Sequence, residues 1–171
     1  MKLSLLLTLL SLLAAPLFAA ETNAPFRQLV LRDQFDRQHW FEAGSNAVTV
    51  ITVADRKGSE QVEGWVRAIK TRYAERVAQL GVADVSAVPS PMRAMIRKKF
   101  AEQYSATPVL LDWKGEVTKL FPAQSGVVNV LVVSRSGGLM KTLVGPVSDD
   151  GLARLHQVIA PLLPALPAPK P

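Results

Sequence analysis

The stretch GVVNVLVVSRSGGLMKTLVGPVSDDGLARL, residues 126–155, carries the reading of the fold. Its first part, 127–133, is a run of valine and leucine broken only by Asn129, the profile of a central strand buried on both faces. Ser136, Gly137 and Gly138 form a tight turn into 139–144, which predicts an antiparallel hairpin. Ser148 then stands where a helix N-cap is needed, with Asp149 and Asp150 in the first turn, where negative charge suits the helix dipole. Leu152, Leu155, Val158, Ile159 and Leu162 recur at three and four residues and give that helix one apolar stripe.

Working towards the N-terminus, 108–113 (PVLLDW) reads as a short strand and 115–121 as a short helix. The segment 92–104 is a second amphipathic helix, with Met92, Met95, Ile96, Phe100 and Tyr104 expected inward. Residues 82–88 read as a strand, closed by Pro89 and Pro91. A long helix is expected from Ser59 or Glu60 to Leu80: Val62, Trp65, Val66, Ile69, Tyr73, Val77 and Leu80 keep helical spacing, Ser59 offers a cap and Gly81 a stop. Before it, 47–54 (AVTVITVA) is β-branched and apolar, a second buried central strand. Residues 26–32 and 38–42 suggest a small N-terminal β-hairpin around the polar break at 33–36. Helices between strands imply an α/β fold, a mixed sheet with helices on both faces. No internal repeat is visible.

The first twenty residues differ from the rest. Lys2 is followed by an almost unbroken leucine run over 3–13, then by Pro16 and small residues. Basic start, apolar middle and small-residue end read as a secretory signal peptide, with cleavage near Ala19 or Ala20 and delivery to the periplasm or outside the cell. The competing reading is a membrane anchor. A spanning helix needs about 20 apolar residues, and Pro16 with its flanking alanines interrupts the run early, so no stable span is expected after cleavage. The domain is expected over 21–163. From Pro161 onward the chain is rich in Pro and Ala, and 164–171 is assigned to a disordered tail.

The whole chain has 171 residues, a formal net charge of +6 and no cysteine. Loss of Lys2 with a leader lowers that charge by one, which leaves a mildly basic protein. An exported domain of about 150 residues is large enough to be held by its core, without disulfides. Without cysteine there is no thiol-disulfide exchange, no peroxidatic thiol and no thiolate metal site.

The element order and three segments together resemble the thioredoxin-like superfamily. The match is closer to its redoxin branch, which holds the peroxiredoxin-like AhpC/TSA and the TlpA-like thiol-disulfide carriers. PVLLDWKGEVTKLF (108–121) resembles the redoxin segment in which a strand ends in Asp and leads to a short helix. Residues 126–155 resemble the thioredoxin strand, glycine hairpin, strand and last helix. ITVADRKGSEQVEGWVRAIK (51–70) falls where that superfamily keeps its active-site loop and first helix. The chain also resembles the YtfJ-like exported proteins of the redoxin group. The resemblance covers roughly 26–163 and implies a three-layer α/β/α fold with a mixed central sheet and an N-terminal β-hairpin. It also places Lys57 and Glu60 at the two CxxC positions and Val128 at the cis-proline position. A cis bond before a non-proline residue costs about 3 kcal/mol, so Val128 is expected trans. The resemblance therefore implies a redox-dead member.

The candidate site lies at those positions: Asp55, Arg56, Lys57 and Glu60 after the first central strand, with Val128 and Asn129 opposite. Ligands of such folds sit at strand carboxyl ends. A groove between the 55–60 and 126–129 loops could take a periplasmic protein or peptide partner; the plainer alternative is a solvated loop with ion pairs worth little. Arg93, Arg97, Lys98 and Lys99 form a basic patch on the second helix. It would suit an acidic partner or anionic lipid head groups, or be simply a solvated face. Nucleic acid is not expected, since no aromatic residues interleave the basic ones. His39 and His156 are the only histidines and form no ligand motif, so no metal and no cofactor is expected. Ser59 lies outside any G-x-S-x-G and is read as a helix cap. Asp112 could be a functional carboxylate, but at a strand end it more often opens a turn. Trp40, Trp65 and Trp113 are read as core or edge residues, with Trp113 a possible groove wall. The functional expectation is a non-catalytic binding or assembly factor. The alternatives are an enzyme with non-thiol chemistry at the same loops and a structural envelope protein.

Overall fold

Seven strands form one mixed sheet in the order β2-β1-β5-β4-β3-β6-β7. The computed structural model describes residues 29–40, 47–121 and 123–164. The expected leader at 1–20 with its cleavage site, the ends of the expected hairpin at 26–28 and 41–42, and residues 165–171 of the tail expected over 164–171 lie outside the described residues. The strands are β1 (Val30–Asp33), β2 (Gln38–Trp40), β3 (Val48–Ala54), β4 (Val77–Asp84), β5 (Val109–Asp112), β6 (Asn129–Val133) and β7 (Leu139–Val144). The helices are α1 (Val62–Tyr73), α2 (Arg93–Gln103), α3 (Glu116–Leu120) and α4 (Asp149–Ile159). β3 runs parallel to β4 and antiparallel to β6. This central position explains why VTVITVA buries every residue but Thr49.

The sheet divides two cores. Val48, Val50, Val128, Val130 and Val132 pack against Trp65, Ile69 and Tyr73 of α1 and Leu155 and Ile159 of α4. On the other face, Ile51, Val53, Val82, Leu110, Leu131 and Val133 meet Leu29, Leu31 and the α3 side, Val117 and Phe121. Trp65 fixes α1, because its indole N–H donates to the Gly145 carbonyl at 2.9 Å and its ring lies against Gly151. The Ser148 hydroxyl accepts the Gly151 N–H and caps α4, and Asp149 and Asp150 occupy the first turn as expected.

Two expectations are corrected. The long helix to Leu80 ends at Tyr73, and Val77 and Leu80 belong to β4. Their spacing continues the helical stripe by coincidence, whereas parallel pairing with all seven residues of β3 claims them for the sheet. Gly81 therefore lies within a strand and stops nothing, and the strand expected at 82–88 starts earlier and ends at Asp84. The second correction concerns α2, which has no fully buried residue. Ile96 and Phe100 are half-buried, while Met92, Met95 and Tyr104 are exposed. The helix is rotated so that Arg93 and Arg97 reach the rest of the fold, over Trp113 and beside Asp36. Polar bonds hold the end of this segment: the Gln34 amide donates to the carbonyls of Tyr104 and Thr107. A 3₁₀ turn, Ala160–Leu162, continues α4, and Leu162 and Leu163 pack against the core.

The N-terminal hairpin closes on a buried carboxylate. Asp33 accepts the N–H groups of Phe35 and Arg37, the Arg37 Nε–H and a bond from His39 Nε2. Burial pushes this carboxyl up, but the bonds from His39, Arg37 and Phe35 outweigh it and hold it below the ordinary aspartate value.

Candidate functional site

Three parallel strands end side by side: β4 and β5 each end at an aspartate, and an aspartate directly follows β3. Ala54 of β3 is level with Ala83 of β4, and Asp84 is level with Asp112 of β5. Asp55, Asp84 and Asp112 thus form the carboxyl edge of the sheet. Each turns back on its own loop. Asp84 accepts the Ser86 N–H and hydroxyl. Asp112, 1% exposed, accepts the N–H groups of Lys114, Glu116 and Val117 and so caps α3. Its carboxylate is a helix cap and the start of a turn.

Asp55 does more, because it joins two loops. One carboxylate oxygen accepts the N–H of Lys57 at 3.0 Å and of Gly58 at 2.8 Å. The other accepts the Ser125 hydroxyl at 2.8 Å and the Gly126 N–H at 2.7 Å. Burial raises this carboxyl, and the four donors from Gly58, Gly126, Ser125 and Lys57 together bring it below the ordinary value. A group held in this way is an internal staple.

The two loops touch directly behind the staple. A Cβ on Gly58 would fall 2.5 Å from the Val127 carbonyl carbon and 2.9 Å from the Val128 nitrogen. The Val128 N–H donates to Gln61 Oε1 at 3.2 Å, and its carbonyl accepts the Gly145 N–H. Val128 is fully buried, and no peptide bond among the described residues is cis. Asn129, 2% exposed, accepts the Gln124 N–H and donates to the carbonyls of Gln124 and Val127. Of the six residues expected to line a groove, Asp55, Val128 and Asn129 therefore spend their polar groups inside the chain. Arg56, Lys57 and Glu60 are exposed, and among the described residues no ion pair or hydrogen bond engages their side chains. The Lys57 stem lies 4.0 Å from where a Gly126 Cβ would be, so this cation rises over the second loop.

Ser59 is not the expected cap. Its hydroxyl donates to the Arg56 carbonyl, and neither the 3₁₀ turn Ser59–Gln61 nor α1 has a side-chain cap. Sequence reasoning also missed Gln61, Ser125 and the organising role of Asn129. Aspartate two and three residues before Lys57 and Gly58 is an Asx-turn signature and was the available signal for the staple. No local pattern announces bonds across about 70 residues.

The basic patch divides. Lys98 and Lys99 point to solvent, with Lys98 3.9 Å from Glu102. Arg93 and Arg97 turn towards Trp113 and Asp36. His39 sits on the edge strand β2 against Asp33, and His156 Nδ1 lies 3.2 Å from the Tyr73 hydroxyl and 3.3 Å from Arg72 Nε. Among the described residues no group of three or more metal-binding side chains converges, and no helix is long and apolar enough to cross a membrane.

This architecture is the thioredoxin-like fold. The chain superposes on the pneumococcal exposed lipoprotein thioredoxin from Streptococcus pneumoniae with a TM-score of 0.60 at 14% identity, covering 75% of this chain and 97% of that one. It superposes on a thiol-disulfide isomerase from Corynebacterium glutamicum with a TM-score of 0.59 at 20% identity, covering 84% and 99%. StoA from Bacillus subtilis gives 0.55 at 15% identity, covering 74% and 93%. No protein-family model matches the chain, and no curated relative matches it. The chain thus has the thioredoxin-like fold and no cysteine anywhere in its sequence, so it lacks the catalytic thiols of thiol-disulfide chemistry.

Proposed function

We propose that this chain is an exported, cysteine-free thioredoxin-like protein that acts in the periplasm as a non-catalytic binding or assembly factor. Its partner is a protein or peptide, taken on the edge formed by Arg56, Lys57 and Glu60. One observation carries the reading. At the carboxyl end of the central strand, three charged side chains have no partner among the described residues, while Asp55 fixes the backbone beneath them. A rigid scaffold that presents unspent charges loses little conformational freedom on binding. The leader-like first twenty residues support export, and the leaderless composition supports a domain that folds without disulfides.

The test is affinity capture from periplasmic extract with the wild-type chain and with Lys57→Ala/Glu60→Ala, followed by a binding titration of the recovered partner. The proposal expects at least a tenfold loss of affinity in the double variant with its circular dichroism unchanged. If no recovered protein depends on these two side chains, the proposal fails.

A further inference from the structure

The chain has no cysteine, and of its four methionines Met1 opens the expected leader. The other three, Met92, Met95 and Met140, are 43%, 45% and 48% exposed. Neither core holds a methionine, although a flexible thioether is a common filler of core gaps. Among the described residues, every sulfur atom therefore belongs to an exposed thioether. Two of them lie one helical turn apart: Met92 closes the 3₁₀ turn Ser90–Met92, and Met95 follows in the first turn of α2. Arg93, Ile96, Arg97 and Phe100 lie on the half-buried side of that helix, which leaves both methionines on its outer side. Met140 has no cross-strand partner in register, because β7 pairs Leu139 with Val133 and Lys141 with Val132 across a bulge.

We infer that Met92, Met95 and Met140 are sites of oxidation to methionine sulfoxide by hydrogen peroxide, a modification that this fold takes up without unfolding. A sulfur lone pair attacks one peroxide oxygen. The S–O bond forms as the O–O bond breaks, and the hydroxide that leaves takes the proton of the transferred hydroxyl, giving sulfoxide and water. Sulfur loses two electrons and peroxide gains them. No thiolate competes for the oxidant, so these thioethers are the reactive sulfur of the domain. Sulfoxide formation makes a flexible apolar side chain polar, which disrupts a core that contains it. Here α2 has no fully buried residue to lose. Oxidation turns its outer side polar and leaves both cores and the Asp55 staple as they are. These sites are separate from the Lys57 edge, and neither reading depends on the other.

The experiment incubates the purified protein with hydrogen peroxide beside free methionine, locates sulfoxide by peptide mass mapping and then measures thermal unfolding. Each of the three methionines is expected to react within about fivefold of the rate of free methionine. Once all three carry oxygen, the unfolding midpoint is expected to stay within about 3 °C of the untreated protein. The variant Met92→Leu/Met95→Leu/Met140→Leu should lose this oxygen uptake, and peroxide should leave its midpoint unmoved. The rates and midpoint of the wild-type protein decide the matter even if that variant does not fold. A methionine among the three that reacts more slowly than this limit, or a larger fall in the midpoint on full oxidation, would overturn the inference.

Discussion

The Asp55 carboxylate and the Gly126 backbone N–H, 71 positions apart in sequence, meet at 2.7 Å. The same carboxylate closes its own loop through Lys57 and Gly58. The two loops that would flank a reactive thiol in this fold are here tied together by one aspartate.

Replacing Asp55 should therefore act on both loops. Asp55→Ala leaves the Gly58 and Gly126 N–H groups without their acceptor and should cost about 2–4 kcal/mol in a denaturant titration. Asp55→Asn keeps the shape but offers one oxygen and one NH₂, which cannot satisfy donors on both sides. It should fall between wild type and alanine.

Gly58 is required for space. Its backbone is ordinary, with φ −77°, so alanine brings no conformational strain there. An added Cβ would instead meet the Val127 carbonyl carbon and oxygen at 2.5 and 2.6 Å, both backbone atoms. Gly58→Ala should cost about 1–3 kcal/mol, read as a lower denaturation midpoint.

Ala74 is the opposite case. It ends α1 with φ 45° and ψ −128°, a region that favours glycine. Ala74→Gly should raise stability by about 1 kcal/mol, measured by thermal unfolding, because the turn from α1 into β4 then carries no Cβ penalty.

Acid should weaken the fold through two carboxylates. Asp33 and Asp55 both lie below the ordinary value of 3.8 in the folded chain. A lowered folded value means the unfolded chain takes up protons first as pH falls. Their stabilisation is thus complete above about pH 5 and lost as pH drops through about 4 towards the folded values. Stability measured from pH 6 to 3 should decline, and the decline should be shallower in Asp33→Asn and Asp55→Asn.

The strands β3 and β6 and the helix α4 were legible because local pattern and tertiary role agree: continuous β-branched runs are central strands, and Ser148 with two following acids is a cap. The α1–β4 boundary was not, since Val77 and Leu80 fit both periods and only pairing with β3 decides between them. The stripe on α2 misled for a related reason. Its apolar residues mark helical periodicity, but the helix is oriented by Arg93, Arg97 and Gln34, polar contacts that hydrophobic spacing does not report. Within the candidate site, the positions were legible and the roles were not. Asp55 and Asn129 face inward, and Arg56, Lys57 and Glu60 remain as the exposed edge, because long-range hydrogen bonds decide which polar groups are spent.

The central claim is that this edge binds a partner. Site-specific photo-crosslinking in intact cells tests it most directly, with a photoreactive residue placed at Lys57 and, as a control, at exposed Arg135 after β6. The account predicts a discrete crosslinked protein from position 57 that is absent from position 135. No adduct at position 57, or the same adducts from both positions, would contradict it.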